Sequence, residues 1–273
     1  MSDPALWLLG PPPVQVDLAT PVVRADDVGL LRGESVFETM RVVGGRAAFV
    51  DLHLARLPRS AARLDLDLPT GWPDLVDAAA AAWGPADASL RLVCTKGGTA
   101  FALVSAVPGK TVREREQGLT VTTLPLGVAA GHRADAPWLL GGVKSTSYAV
   151  NMASLRAVDT DDAIWVSSDG EVLEAPTATV AWVTAGRLVT PPAAEVSILP
   201  GTTMDVVLDL CGQQGVPVEV RRGTAQELAA ADEVMLCSSV RGVAPVVALD
   251  GRELGVGPVT ARLRDAFEAA VAG

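Results

Sequence analysis

Basic residues, cysteine, histidine and long apolar runs are all scarce in this chain, and each scarcity argues against a class of function. Lys and Arg number 22 against 32 Asp and Glu, a formal net charge of −10. A nucleic-acid partner requires a basic footprint for phosphate, so none is expected. An anionic small substrate stays open, because a few arginines in a cleft can bind one under an acidic exterior. The two histidines, and three cysteines far apart (Cys94, Cys211 and Cys237), offer no pair at ligand spacing. No metal site is expected, and apolar neighbours mark the cysteines as buried free thiols. No apolar run reaches membrane-spanning length, and MSDPALWLLGPPP lacks a basic region and a cleavage site. The expectation is a soluble, cytoplasmic protein without a membrane partner.

What is present is ample core. With 273 residues, 49% of them hydrophobic, the chain can hold one large domain or two modest ones. Apolar alternation predicts strands over 14–23, 36–43, 89–97, 100–107 and 119–126, and a short strand after Gly44-Gly45. An Ala-rich helix is expected over 69–83. The charged stretch 108–118, bounded by Pro-Gly and Gly, reads as a linker between a small domain at 1–107 and a larger one at 119–273. A helix capped by Thr202 or Thr203 is expected to end at Gly215, and a last amphipathic helix spans 258–271.

The stretch 141–182 organises the rest. Lys144 opens it among small and hydroxyl residues, a helix follows, and two strands are joined at Ser168-Asp169-Gly170, where Asp-Gly is a hairpin signal. Alternation puts Glu174 on one face of the sheet. A lysine and a glutamate on one sheet face suit pyridoxal 5′-phosphate (PLP). The amine forms a Schiff base with its aldehyde, and the carboxylate pairs with its ring nitrogen. Spacing alone is also compatible with a solvated lysine and a glutamate at a sheet rim.

The wording K-x-x-x-Y-x-x-N followed by D-D-A-I-W-V-S-x-D-G-x-V-x-E resembles the fold-type IV (class IV) PLP enzymes. Further matches are E-x-x-R at Glu38 and Arg41, H-x-x-R-L at His53 to Leu57, L-P-G-x-T around Gly201, and E-L-x-x-A-D-E-V at Glu227 to Val234. The resemblance implies a two-domain α/β (α+β) fold: a small N-terminal α/β domain, a larger β-rich domain with helices, and the cofactor in the cleft between them. It implies Lys144 as catalytic residue and general base, Glu174 on the ring nitrogen and Tyr148 on the ring hydroxyl. Arg56, Gly201, Thr202, Thr203 and Ser239 would hold the phosphate. A guanidinium and a helix N-terminus both suit a phosphate. Departures are Glu34, Ser35, Thr179 and Met204, which stand where the family carries other residues.

Arg91, Arg241 and Phe37 are candidates for the substrate, with Lys96 beside Arg91; Arg241 reads equally as a surface loop residue. Glu38 and Arg41 read equally as a strand-end ion pair, and His53 as a packing or capping residue. The wording KSTSYAVNMASLRA and EAPTATVAWV looks most like 4-amino-4-deoxychorismate lyases of folate biosynthesis, which release 4-aminobenzoate and pyruvate. The alternative is a class IV aminotransferase, for branched-chain amino acids with an apolar pocket from Phe37 and Trp182. D-amino acids rank lower, because Gly97-Gly-Thr-Ala-Phe101 lacks their R-x-H carboxylate trap. A PLP-binding protein without efficient turnover is a third reading. The partners implied are a small amino substrate and, by resemblance, a second copy in a homodimer.

Overall fold

A computed structural model describes residues 3–273, which fall into two compact units. The first gathers the chain up to Pro108 together with Val143–Tyr148, and the second holds Gly109–Gly142 and Ala149–Val271.

In the first unit the strands are β1 (Ala5–Leu8), β2 (Val14–Val16), β3 (Ser35–Val43), β4 (Arg46–Ala47), β5 (Ala88–Thr95) and β6 (Ala100–Ala106). They form one antiparallel sheet in the order β2-β1-β6-β5-β3-β4. Only 14–16 of the stretch expected as a strand over 14–23 is extended, and Trp7 and its neighbours supply an unexpected strand. Helix α1 (Val28–Arg32) is a single turn capped by Asp27, and α2 (Val50–Ala62) and α3 (Trp72–Trp83) are longer. Alternation fixes what each face does. Ala88, Leu90, Leu92 and Cys94 of β5 are buried in one core with Leu57, Leu75 and Val76 of the two long helices. Arg91 is exposed on the other face of β5.

The second unit opens with α4 (Gly109–Gln117), where a linker was expected. Nothing between Gly109 and Gly118 breaks a helix, and Lys110 and Glu114 meet at 3.4 Å one turn apart. Then come β7 (Leu119–Pro125), α5 (His132–Asp135), α6 (Ala149–Arg156), β8 (Asp162–Val166), β9 (Thr179–Thr184) and β10 (Arg187–Thr190). The remaining elements are α7 (Ala193–Val196), α8 (Thr202–Gln214), β11 (Val218–Val220), α9 (Ala225–Ala229), β12 (Glu233–Ser238), β13 (Gly242–Leu249), β14 (Arg252–Glu253) and α10 (Pro258–Ala272). The sheet runs β11-β10-β9-β12-β13-β7-β8, with β14 on β13. Its core includes Ile164, Val180, Trp182, Val189 and Leu236.

Local chemistry explains the joints. Ala185 and Gly186 take φ of 50° and 72° in the tight β9–β10 turn, as such two-residue hairpins require. Glu233 accepts from the first amides of α10, Val259 at 3.1 Å and Thr260 at 2.6 Å, and so fastens that helix to β12. The Asp-Gly turn after β8 forms, with Ser167 N–H donating to Glu171 O at 2.8 Å and one bridge between Val166 and Val172. Its return limb is not a regular strand. Cys94, Cys211 and Cys237 are buried and free, and burial pushes their thiols up to about 11, 11 and 12. No helix among the described residues is long and apolar enough to cross a membrane.

Candidate active site

Lys144 is folded into the first unit by its backbone. Ser145 forms an antiparallel bridge with Val36 at the start of β3. Phe37 N–H donates to Lys144 O at 3.0 Å, and Thr146 N–H to Ser35 O at 2.9 Å. Lys144 N–H donates to Ser60 Oγ of α2 at 3.1 Å. The hydroxyls of Ser35 and Thr146 share a further hydrogen bond, and Ser147 Oγ donates to Gly33 O at 3.1 Å. The short, hydroxyl-rich wording around the lysine therefore serves as an added edge strand.

Phe37 is the hub of this half. Lys144 Nζ lies 4.5 Å from its ring centroid and Arg91 Cζ lies 5.1 Å away. Tyr148 packs edge-on, with centroids 5.1 Å apart and planes at 80°. An amine, a guanidinium and a phenol thus converge on one apolar ring, which attracts both cations through its face.

Glu38 has different partners from those expected. Residues three apart in a strand point to opposite faces, so Glu38 and Arg41 do not meet. Arg41 forks onto Asp87 at 2.9 and 3.0 Å. Glu38 is fully buried, takes Arg56 Nε at 2.8 Å and Nη2 at 2.7 Å, and meets His53 Nδ1 at 2.7 Å. Burial by itself would raise its proton affinity, but Arg56 and His53 outweigh it and hold the carboxyl at about 2. Burial also pushes His53 below its ordinary value, against the pull of Glu38. An ionised Glu38 only accepts, so the proton of the neutral imidazole sits on Nδ1. The fork fixes the plane of Arg56 and balances its charge, so a phosphate role for Arg56 belongs to a paired cation.

In the second unit, Glu174 lies on the irregular return limb opposite Trp165, and the sheet-face position expected from alternation is not what holds it. Leu199 N–H donates to its Oε2 at 3.1 Å, and Arg133 Nη1 stands 3.7 Å from its Oε1. Neither contact had a signal in the sequence, where 132–136 reads only as a polar loop. Just beyond Leu199, α8 begins. Gly201 stands at its N-cap, so Thr202 and Thr203 are its first helical residues and do not cap it. Both threonines are buried. A Cβ on Gly201 would run into the Thr179 hydroxyl, so the approach to the helix end requires glycine here.

Two expected substrate contacts are engaged elsewhere. Arg241 is 6% exposed and bound to Asp162 at 2.8 Å and Glu114 at 3.1 Å, so it is neither a surface residue nor a carboxylate trap. Trp182 is wholly buried among the sheet's core residues, so it lines no substrate pocket with Phe37. Lys96 is tied to Glu34 at 2.9 Å. Arg91 and Phe37 stay beside Lys144, and Ser239 sits in the β12–β13 turn.

This donor set fits PLP chemically. It offers an amine for the aldehyde, a carboxylate held by an amide for the ring nitrogen, and amides with hydroxyls at a helix start for the phosphate. Those features define a PLP-dependent enzyme of two α/β units. The chain belongs to the class IV amino-transferase family, whose family model matches residues 35–249. It is 36% identical over 273 residues to the bifunctional aminodeoxychorismate lyase / D-amino acid transaminase of Mycobacterium tuberculosis, covering 92% of this chain and 94% of that protein. A hypothetical aminotransferase from M. tuberculosis, in a PLP-bound form, matches with a TM-score of 0.92 and 35% identity over 98% of both chains. Its form bound to α-ketoglutarate and PMP matches with a TM-score of 0.92 and 35% identity over 98% of this chain and 99% of that one. The family uses PLP, and the chain is an enzyme, an aminotransferase or an aminodeoxychorismate lyase.

Proposed function

We propose that the chain is a PLP-dependent lyase that converts 4-amino-4-deoxychorismate to 4-aminobenzoate and pyruvate, acting in the cytoplasm as a homodimer. The observation that carries this reading is the cluster on Phe37, where an amine and a guanidinium flank one apolar ring. A carboxylated ring bearing an amine suits those three groups. The M. tuberculosis relative's lyase activity supports the same reading.

Bound PLP supplies an electron sink for the carbon that carries the substrate amine. Lys144 takes the proton from that carbon, as general base. Breaking the neighbouring ring C–O bond then expels enolpyruvate, which takes up a proton to become pyruvate, and leaves an aromatic ring. Glu174 holds a proton at the ring nitrogen, and the Leu199 amide keeps its carboxylate in position. Gly201, Thr202, Thr203, Ser239 and the paired Arg56 would hold the cofactor's phosphate, and Tyr148 its ring hydroxyl. Arg91 pairs with a substrate carboxylate. Glu174→Gln keeps the shape and removes the charge, so kcat is expected to fall by about 10²-fold or more with cofactor still bound. Unchanged kcat in that variant removes Glu174 from the reaction.

The deciding assay supplies purified protein with aminodeoxychorismate and no keto acid, and follows 4-aminobenzoate and pyruvate. Stoichiometric release of both supports the lyase. Product only when an amino donor and a keto acid are supplied together favours the second reading, a class IV aminotransferase. For that reading D-amino acids now rank above branched-chain ones. The relative's second activity favours them, and the pocket that argued for branched chains loses Trp182.

A further inference from the structure

We infer that α4 and Arg241 form a brace that holds the loop Ser239-Val240-Arg241 in the shape that grips the cofactor phosphate. The inference rests on the reading of Ser239 as a phosphate contact. Ser238 pairs with Gly242 across the β12–β13 hairpin, so these three residues form its loop. Hairpin loops are ordinarily among the more mobile parts of a fold. This one is fastened from within. Arg241 turns inward, giving Nη2 to Asp162 Oδ2 of β8 at 2.8 Å and Nη1 to Glu114 Oε2 of α4 at 3.1 Å. The next residue of α4, Arg115, gives Nη2 to Val240 O at 2.5 Å. Adjacent loop residues are therefore held by adjacent helix residues with opposite polarity, a loop cation on a helix anion and a helix cation on a loop carbonyl.

The far end of the loop is equally constrained. Gly242 has φ of 72°, and a Cβ there would meet Glu268 Oε1 at 3.0 Å and the Phe267 ring at 3.4 Å. A buried ion cluster is a weak source of net stability, because desolvation offsets much of the attraction. What such a cluster does supply is direction, since a forked guanidinium accepts few geometries. Arg241 is thus a positioning residue, acting on the cofactor through Ser239.

Equilibrium dialysis of the full-length protein against PLP, and against pyridoxal, which lacks the phosphate, measures the ratio of the two affinities. Arg241→Met is expected to lower the preference for PLP about tenfold while pyridoxal binding stays within about twofold of wild type. An equal loss of both ligands, or no loss of either, overturns the brace. Should that variant fail to fold, Arg115→Met decides, because it leaves the ion pairs of Arg241 in place. It is expected to lower the same ratio about threefold, and an unchanged ratio overturns the brace. Ser239→Ala separates the two layers of the inference. If it leaves the ratio unchanged, the loop does not meet the phosphate and the reading beneath fails. If it lowers the ratio while neither arginine variant does, that reading stands and the brace is wrong.

Discussion

Lys144→Ala is expected to lower turnover by at least about 10³-fold, within the range that a positioned general base contributes. The protein should still fold, because the contacts that seat this segment on β3 are made by main-chain atoms and neighbouring hydroxyls. The Nζ contact with Phe37 goes with the side chain removed. Cofactor should remain measurable, since the residues proposed to hold its phosphate are untouched. Borohydride, which fixes PLP covalently to the lysine it is joined to, should label the peptide bearing Lys144 in wild type and no peptide in the variant. A variant retaining a tenth of wild-type activity, or label on Lys96 or Lys110, would remove Lys144 from the centre of the chemistry.

Glu38→Gln should be the most damaging change outside the reacting groups. It removes the anion from a buried trio and leaves Arg56 uncompensated, which costs about 3–5 kcal/mol in comparable buried pairs. Denaturant unfolding at neutral pH measures that loss. The pH dependence gives a second reading. Glu38 titrates at about 2 in the fold against 4.5 for an ordinary glutamate, so its contribution is complete above 4.5 and lost as pH falls toward 2. That shift corresponds to about 3 kcal/mol. His53 is also depressed, so its effect has the same sign and stability begins to fall as pH drops below 6.5. The gap between wild type and Glu38→Gln should therefore close between about pH 5 and pH 2. A gap that persists to pH 2, or a loss under about 1 kcal/mol at neutral pH, would mean that Glu38 does not act as a buried anion.

The sequence carried local matters well and distant ones poorly. The alternation of Ser89 to Thr95 and the Asp-Gly turn at 169–170 depend on neighbours a few residues away, and both were legible. Alternation also held an unused answer for Glu38. Its distance of three from Arg41 puts the two on opposite faces, and the H-x-x-R of α2 supplied the true partners. Helix α4 was masked by its flanking Pro-Gly, although its Lys-Glu spacing was a helical signal. Nothing local could reveal Arg241. Its partners come from α4 and β8, and a loop arginine beside a serine looks the same whether it reaches outward or inward. The same holds for Arg133 beside Glu174 and for Ser60 under Lys144, contacts that exist only once the tertiary fold has formed.

The lysine's short strand has a consequence for how the protein is made. Its partners at Ser35 to Phe37 leave the ribosome more than a hundred residues before it does. Until residue 148 has emerged, that margin of the N-terminal sheet waits with unpaired amides and carbonyls, open to pairing with a neighbouring nascent chain. A fragment ending at Pro108 should inherit the same sticky rim permanently, so synthesis of the two halves as separate polypeptides invites aggregation of the first.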